Sequence, residues 1–195
     1  MHIHFPKKTL MAGLIAAAGL VAALPASAQN LVANGGFEAG SLTGWSGSIL
    51  TNPFSGVYCG DAGSAPEGGC EAFLGTFGTT DMLSQVLNTV AGQAYTVSFS
   101  FQSDGSTPSS FSVSLGGQTV YDVTSPAASA VQTLSFTTTA TAAASNLVFT
   151  FNNDPGYFYL DGVSVSAVPE PASLLLMMGG LVGLAARRRM SSTVR

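Results

Sequence analysis

The sequence predicts an all-β protein. Its body is one β-sandwich, a jelly roll of about eight or nine short strands, flanked by an N-terminal signal helix and a short C-terminal transmembrane helix. Three observations predict it. Apolar and polar residues alternate through most of the chain after Gln29, the period of a half-buried strand. No long 3.6-residue pattern interrupts them. Glycine-containing pairs punctuate the alternating runs where tight turns are needed.

The elements follow in chain order. Lys7 and Lys8 precede an apolar run from Leu10 to Leu24, and Ala26-Ser27-Ala28 supplies the small residues of a signal-peptidase site. This order predicts a signal peptide over residues 1–28, cut between Ala28 and Gln29. Asn30-Leu31-Val32 reads as a first strand. Tyr95, Val97, Phe99 and Phe101 alternate with Thr96, Ser98, Ser100 and Gln102. Phe111, Val113 and Leu115 alternate with serines, and Gly116-Gly117 after them is a two-residue hairpin signal. Gly92-Gln93 and Gly105-Ser106 mark other turns. Leu134 and Phe136 form a further run, then Leu147, Phe149 and Phe151, where Val148 suggests burial on both faces. In the last run the apolar phase switches from Phe158 and Leu160 to Val163 and Val165. A β-bulge at Asp161-Gly162 accounts for the switch, because glycine suits the extra residue. The β-sandwich domain is thus expected at 29–167.

Charge excludes much chemistry. All six Lys and Arg residues and both His residues lie near the ends, so Gln29–Val168 has acids and no cations. That stretch has no imidazole for a Ser-His-Asp or Cys-His pair. It has no histidine metal site and no lysine for a Schiff base or a phosphate loop. With no Lys or Arg to neutralise phosphates, nucleic acid is not an expected partner. Carboxylates, amides, hydroxyls and aromatic rings remain. They suit calcium, sugars and, at most, hydrolysis by two carboxylates about 5–10 Å apart. The aromatic candidates for stacking on sugar rings are Tyr58, Tyr121, Tyr157 and Tyr159. The only tryptophan, Trp45, reads as a core plug. Asp154-Pro155-Gly156 reads as a turn, and the serine- and threonine-rich surface could carry O-glycans. Cys59 and Cys70 are the only cysteines. In an oxidising compartment they are expected to pair, which would stabilise the fold by roughly 3 kcal/mol through loop closure.

At the other end Val168-Pro169-Glu170-Pro171 precedes an apolar stretch from Ala172 to Ala186, followed by Arg187-Arg188-Arg189. The stretch is shorter than the roughly 20 residues of a full span, and the arginines place its end in the cytoplasm. The order Pro-Glu-Pro, short apolar helix, basic cluster resembles the PEP-CTERM sorting signal of Gram-negative bacteria, here over residues 168–190 with a tail at 191–195. The resemblance implies transient anchoring in the inner membrane and recognition by an exosortase, a membrane cysteine protease-transpeptidase. Cleavage near Pro169, Glu170 and Pro171 would then release the domain to the cell surface or extracellular matrix.

Asn30-Leu31-Val32, Asn34-Gly35-Gly36-Phe37-Glu38, Gly44-Trp45 and Tyr159-Leu160-Asp161-Gly162-Val163-Ser164-Val165 together resemble the galactose-binding-like jelly rolls of carbohydrate-binding modules. In such domains the first and last strands share a structural calcium. The resemblance implies Glu38 and Asp161 as its carboxylate ligands, with backbone carbonyls near Asn34 and Gly36. The bare residues also allow an exposed Glu38 and an Asp161 bonded to backbone amides at the bulge.

The expected function is that of an exported, non-catalytic protein of the cell surface or exopolysaccharide matrix, acting by display and adhesion. Its alternatives are a carbohydrate-binding module with a defined sugar groove, and a small carboxylate-based glycoside hydrolase.

Overall fold

The computed structural model describes residues 29–60, 65–169 and Gly180. The expected signal helix, the apolar stretch after Pro171 apart from Gly180, and the arginine cluster lie outside the described residues. Among the described residues no helix is long and apolar enough to cross a membrane.

Nine strands follow a short 3-10 turn at Ser48–Thr51: β1 Ser55–Cys59, β2 Cys70–Leu74, β3 Asp81–Asn88, β4 Ala94–Ser103, β5 Ser109–Leu115, β6 Gln118–Thr124, β7 Gln132–Thr139, β8 Ala144–Asn153 and β9 Phe158–Ala167. They form a five-stranded sheet in the order β1-β2-β9-β4-β7 and a four-stranded sheet in the order β3-β8-β5-β6. Every ladder is antiparallel.

The alternation decides which face each sheet buries. Leu74, Phe99, Phe101, Phe158, Leu160 and Val165 point inward from the larger sheet, and Leu83, Phe111, Val113, Leu147, Phe149 and Phe151 point inward from the smaller one. Their rings interlock across the gap: Phe101 and Phe111 have centroids 4.5 Å apart, and Phe99 meets Phe149 edge-on at 5.6 Å. Such pairs add about 1 kcal/mol beyond the area they bury. Among the described residues the core cluster runs from Val32 to Val165, all of it inside the expected 29–167 domain.

Gly116 and Gly117 join β5 to β6 with both φ angles positive, 57° and 81°, as a two-residue hairpin requires. The bulge falls where the phase switch puts it. Ser98 pairs with Ser164 but Ser100 pairs with Asp161, so β9 carries one extra residue there. Gly162 takes a φ of 57°.

The first expected strand is not one. Asn30 makes an isolated bridge to Ser166, and Leu31 donates to the carbonyl of Val165. The Asn30 side chain replaces the missing ladder: its oxygen accepts from Val32 and Val165, and its amide nitrogen donates to Val163. The chain then turns away at Asn34, whose φ of 53° ends any extended run.

Candidate functional site

The outer face of the five-stranded sheet carries a groove of about 560 Å³, lined by Tyr58, Glu71, Phe73, Gln102, Tyr157 and Tyr159. Strand register explains how these residues converge. Phe73 on β2 pairs with Tyr159 on β9, and Tyr159 pairs in turn with Gln102 on β4. Tyr58 on β1 pairs with Glu71. Each lining residue of β2, β4 and β9 lies between core-facing neighbours, as Tyr159 lies between Phe158 and Leu160. The pleat therefore turns its side chain outward.

The rim is braced at both ends. Cys59 follows Tyr58 and Cys70 precedes Glu71; the two cysteines face each other in the β1–β2 ladder and form a disulfide. Tyr157 meets Phe73 edge-on at 5.9 Å, and its backbone amide donates to Asp104 at 2.8 Å. Burial would raise the Asp104 carboxyl, but bonds from the Ser106 and Tyr157 amides and from the Asn153 and Ser106 side chains outweigh it and hold it below its usual range.

The groove has an acidic floor. Glu71 is 7% exposed, and among the described residues nothing hydrogen-bonds its carboxylate. Burial, and then Asp161 nearby, push its pKa up. The phenol of Tyr159 is raised by burial first, and further by Glu71 and Asp104. Gln102 is the neutral polar group of the lining.

Next to the groove, three segments meet at the bulge. The Gly35 carbonyl accepts from Val163, and a side chain at Gly35 would drive its Cβ into the Val163 carbonyl oxygen. Asp161, 1% exposed, accepts from the amides of Glu67 at 2.7 Å and Gly162 at 2.6 Å. Its pKa rises to about 6; burial is the main cause, the two amide bonds oppose it, and Glu67 and Glu38 add to it. Glu38 is exposed and accepts from the amides of Gly69 and Cys70.

The arrangement bears directly on the residues expected to hold calcium. Asp161 feels the charges of Glu67 and Glu38, and no cation of the domain neutralises them. Hard oxygen donors of this kind suit calcium. In this arrangement, however, backbone amides already bond both Glu38 and Asp161. The Asn34 carbonyl is also engaged, by the Phe37 amide and the Trp45 indole. Among the described residues no group of three or more Asp, Glu, His or Cys side chains is close enough to hold a metal.

Three of the four candidate tyrosines line the groove. Tyr121 does not. It pairs with Val113 on the core side of β5 and packs against Phe99, Phe101, Phe111 and Phe136. The register shift after Val113 belongs to this edge strand and sets its direction. Trp45 is buried between Phe37 and Phe149. Glu71, Phe73 and Gln102 were not legible as site residues. The only signal was Glu71-Ala72-Phe73 beside a cysteine, a run too short to read as a strand face.

Comparison with known structures defines the class. The carbohydrate-binding module TmCBM61, in complex with β-1,4-galactotriose, matches 72% of this chain and 99% of its own, with a TM-score of 0.53 at 18% identity. A xylan-binding domain from CBM 22 matches 71% of this chain and 95% of its own, with a TM-score of 0.50 at 18% identity. The enzymatically active domain of tailspike protein 4 from bacteriophage CBA120 matches 71% of this chain but 21% of its own, with a TM-score of 0.55 at 15% identity. The domain therefore has the jelly-roll fold of carbohydrate-binding modules. More particularly, the chain carries the PEP-CTERM protein-sorting motif: residues 167–189 match its family model. The match begins on Ala167, the last residue of β9, one residue before the boundary expected from sequence. No curated protein matches the sequence.

Proposed function

We propose that the chain is an exported, non-catalytic surface or matrix protein whose jelly roll holds polysaccharide in the groove of its five-stranded sheet. One observation carries this reading: rings from β1, β2 and β9, with Tyr157 beside β9, wall a concavity whose floor offers a carboxylate and an amide. Sugar rings have apolar faces that stack on aromatic rings, while their hydroxyls take hydrogen bonds from a few fixed polar groups. The mechanism is retention by many weak contacts, strengthened by local abundance at the surface.

The placement of the ends supports display. Tyr157 and Tyr159 stand at the start of β9, and the sorting motif begins at its far end, roughly 30 Å away at strand rise. The groove thus lies toward the end of the sheet away from where the motif begins. Asn30 pairs with Ser166, so the expected signal-peptide cut and the sorting motif meet at one pole. An exosortase is the partner this signal fits, acting near Pro169, Glu170 and Pro171 while the arginine tail holds the chain at the inner membrane.

The test is isothermal titration of the chain from Gln29 to Val168 with xylan, galactan and cellulose oligomers. Saturable binding that Tyr58→Ala weakens supports the reading. No binding to any, or release of reducing ends that a single acid substitution abolishes, overturns it. Intact mass of protein from medium and envelope reports the two cuts; a retained arginine tail argues for a permanent anchor.

We also propose calcium beside Glu38 and Asp161. Supporting it is a buried Asp161 that feels the charges of Glu67 and Glu38 in a domain without cations. Bound there, the ion would neutralise Asp161 and tie the 34–38 turn to β9. An unchanged melting temperature on adding calcium to EDTA-treated protein would dispose of it.

A further inference from the structure

The groove differs from a neutral sugar platform in one respect: its electrostatics. Glu71 is nine-tenths buried and lines the groove with Tyr58, Phe73 and Tyr159; its carboxylate takes no hydrogen bond from a described residue and is not among the fully enclosed unpartnered atoms, so it opens to the groove. In the ladder register Tyr58 stands across from Glu71 and Ser100 across from Asp161. Continuing the β2–β9 pairing from Ala72 and Leu160 brings Glu71 beside Asp161. Asp104 braces Tyr157 on the rim. One acid, Glu71, therefore lines the groove with the four rings, Asp161 and Asp104 stand beside it, and the stretch Gln29–Val168 has no Lys, Arg or His to oppose them. Burial first, and then the charges of Glu71 and Asp104, push the Tyr159 phenol up.

A carboxylate at the base of an aromatic box is the arrangement that attracts an ammonium group. The ring faces supply cation–π attraction, and the acid supplies a charge-assisted hydrogen bond. An acidic polysaccharide would meet the opposite: a carboxylate driven toward buried carboxylates with no counter-ion.

The geometry points to a polysaccharide bearing free primary amines, partly or fully de-N-acetylated, as the occupant of this groove, with Glu71 as the ammonium acceptor and Tyr58, Phe73 and Tyr159 as the ring faces around it. This inference rests on the groove being a polysaccharide site and specifies the class of chain it selects.

Three oligosaccharides of equal length and β-1,4 linkage separate the two statements: glucosamine, N-acetylglucosamine and glucose oligomers, titrated into the chain from Gln29 to Val168 in a buffer that keeps the sugar amine protonated. The glucosamine oligomer is expected to bind about tenfold tighter than the other two, and added salt should erode that margin. Glu71→Gln should bring the ratio close to one. Asp122→Asn, which removes an exposed charge from β6 on the other sheet, should leave the ratio unchanged and so separates groove charge from net charge. Glu71→Gln keeps the side chain's shape and relieves repulsion with Asp161, so it should fold; circular dichroism checks this. Tyr58→Ala removes an exposed ring and should reduce amine binding in a chain whose core is untouched. Equal affinity for the three oligomers overturns the inference while leaving the groove a sugar site. So does a preference that survives Glu71→Gln, or one that falls equally with Asp122→Asn. Failure of all three oligomers, together with xylan and galactan, overturns the reading of the groove itself.

Discussion

Glu71 stands directly across the β1–β2 ladder from Tyr58, so the buried acid of the groove faces its most exposed ring, 55% accessible. The disulfide lies one residue further along the same ladder, between Cys59 and Cys70. Three features that look separate in the sequence are thus one local structure at the edge of the five-stranded sheet.

Tyr58→Ala and Tyr157→Ala should each weaken polysaccharide binding about tenfold while leaving the melting temperature within a few degrees. Both rings stand outside the core cluster, and one stacking contact is worth about 1 kcal/mol or somewhat more. Titration calorimetry paired with a thermal melt checks both halves.

Reducing the disulfide, or replacing both cysteines with serine, should lower stability by roughly 3 kcal/mol on the loop-closure estimate. The effect should reach the groove too. β1 is an edge strand whose only ladder is with β2, so loosening that ladder frees Tyr58. Urea unfolding with and without reductant reads the first effect, and sugar affinity under the same conditions reads the second.

Gly35→Ala should destabilise the domain by about 1–3 kcal/mol through overpacking. The added methyl meets a backbone carbonyl, that of Val163, which cannot rotate away as a side chain could. Because Gly35 and Val163 also share a backbone hydrogen bond, hydrogen exchange should quicken at Val163 first. Unchanged exchange there would contradict this account of the turn.

Stability in metal-free buffer should fall as pH rises from about 4 to about 7. Asp161 has its pKa raised from 3.8 to about 6 in the fold. Between those values the folded chain keeps a proton the unfolded chain has lost, so deprotonation favours unfolding. The difference corresponds to roughly 3 kcal/mol at most. Glu71, also raised, contributes with the same sign, whereas Asp104, lowered from 3.8, is ionised in both states across this range and has its effect only in more acidic solution. Thermal melts across this range should show the decline, and Asp161→Asn should flatten most of it. If calcium binds beside Asp161, adding it should restore neutral-pH stability.

Much of the fold was legible because its strands alternate cleanly. Phe99 with Phe101, Phe111 with Val113, and Phe149 with Phe151 each announced a core face. The change of phase at Asp161-Gly162 announced the bulge. The groove was harder to read. β1 and β2 are five residues each, too short for a pattern, and β2 is buried on nearly every residue, so it shows no alternation. Tyr121 looked equivalent to Tyr58, Tyr157 and Tyr159, since a lone tyrosine carries no sign of whether its strand turns it toward core or solvent.

The sequence by itself determined the all-β class, the bulge, the absence of cationic chemistry and the sorting motif. Each of these is written in neighbouring residues or in composition. Only the tertiary structure decided that Tyr58, Glu71, Phe73, Gln102, Tyr157 and Tyr159 share one groove. Their meeting depends on β9 inserting between β2 and β4, and strand order across a sheet is set by which buried faces pack together, not by spacing along the chain.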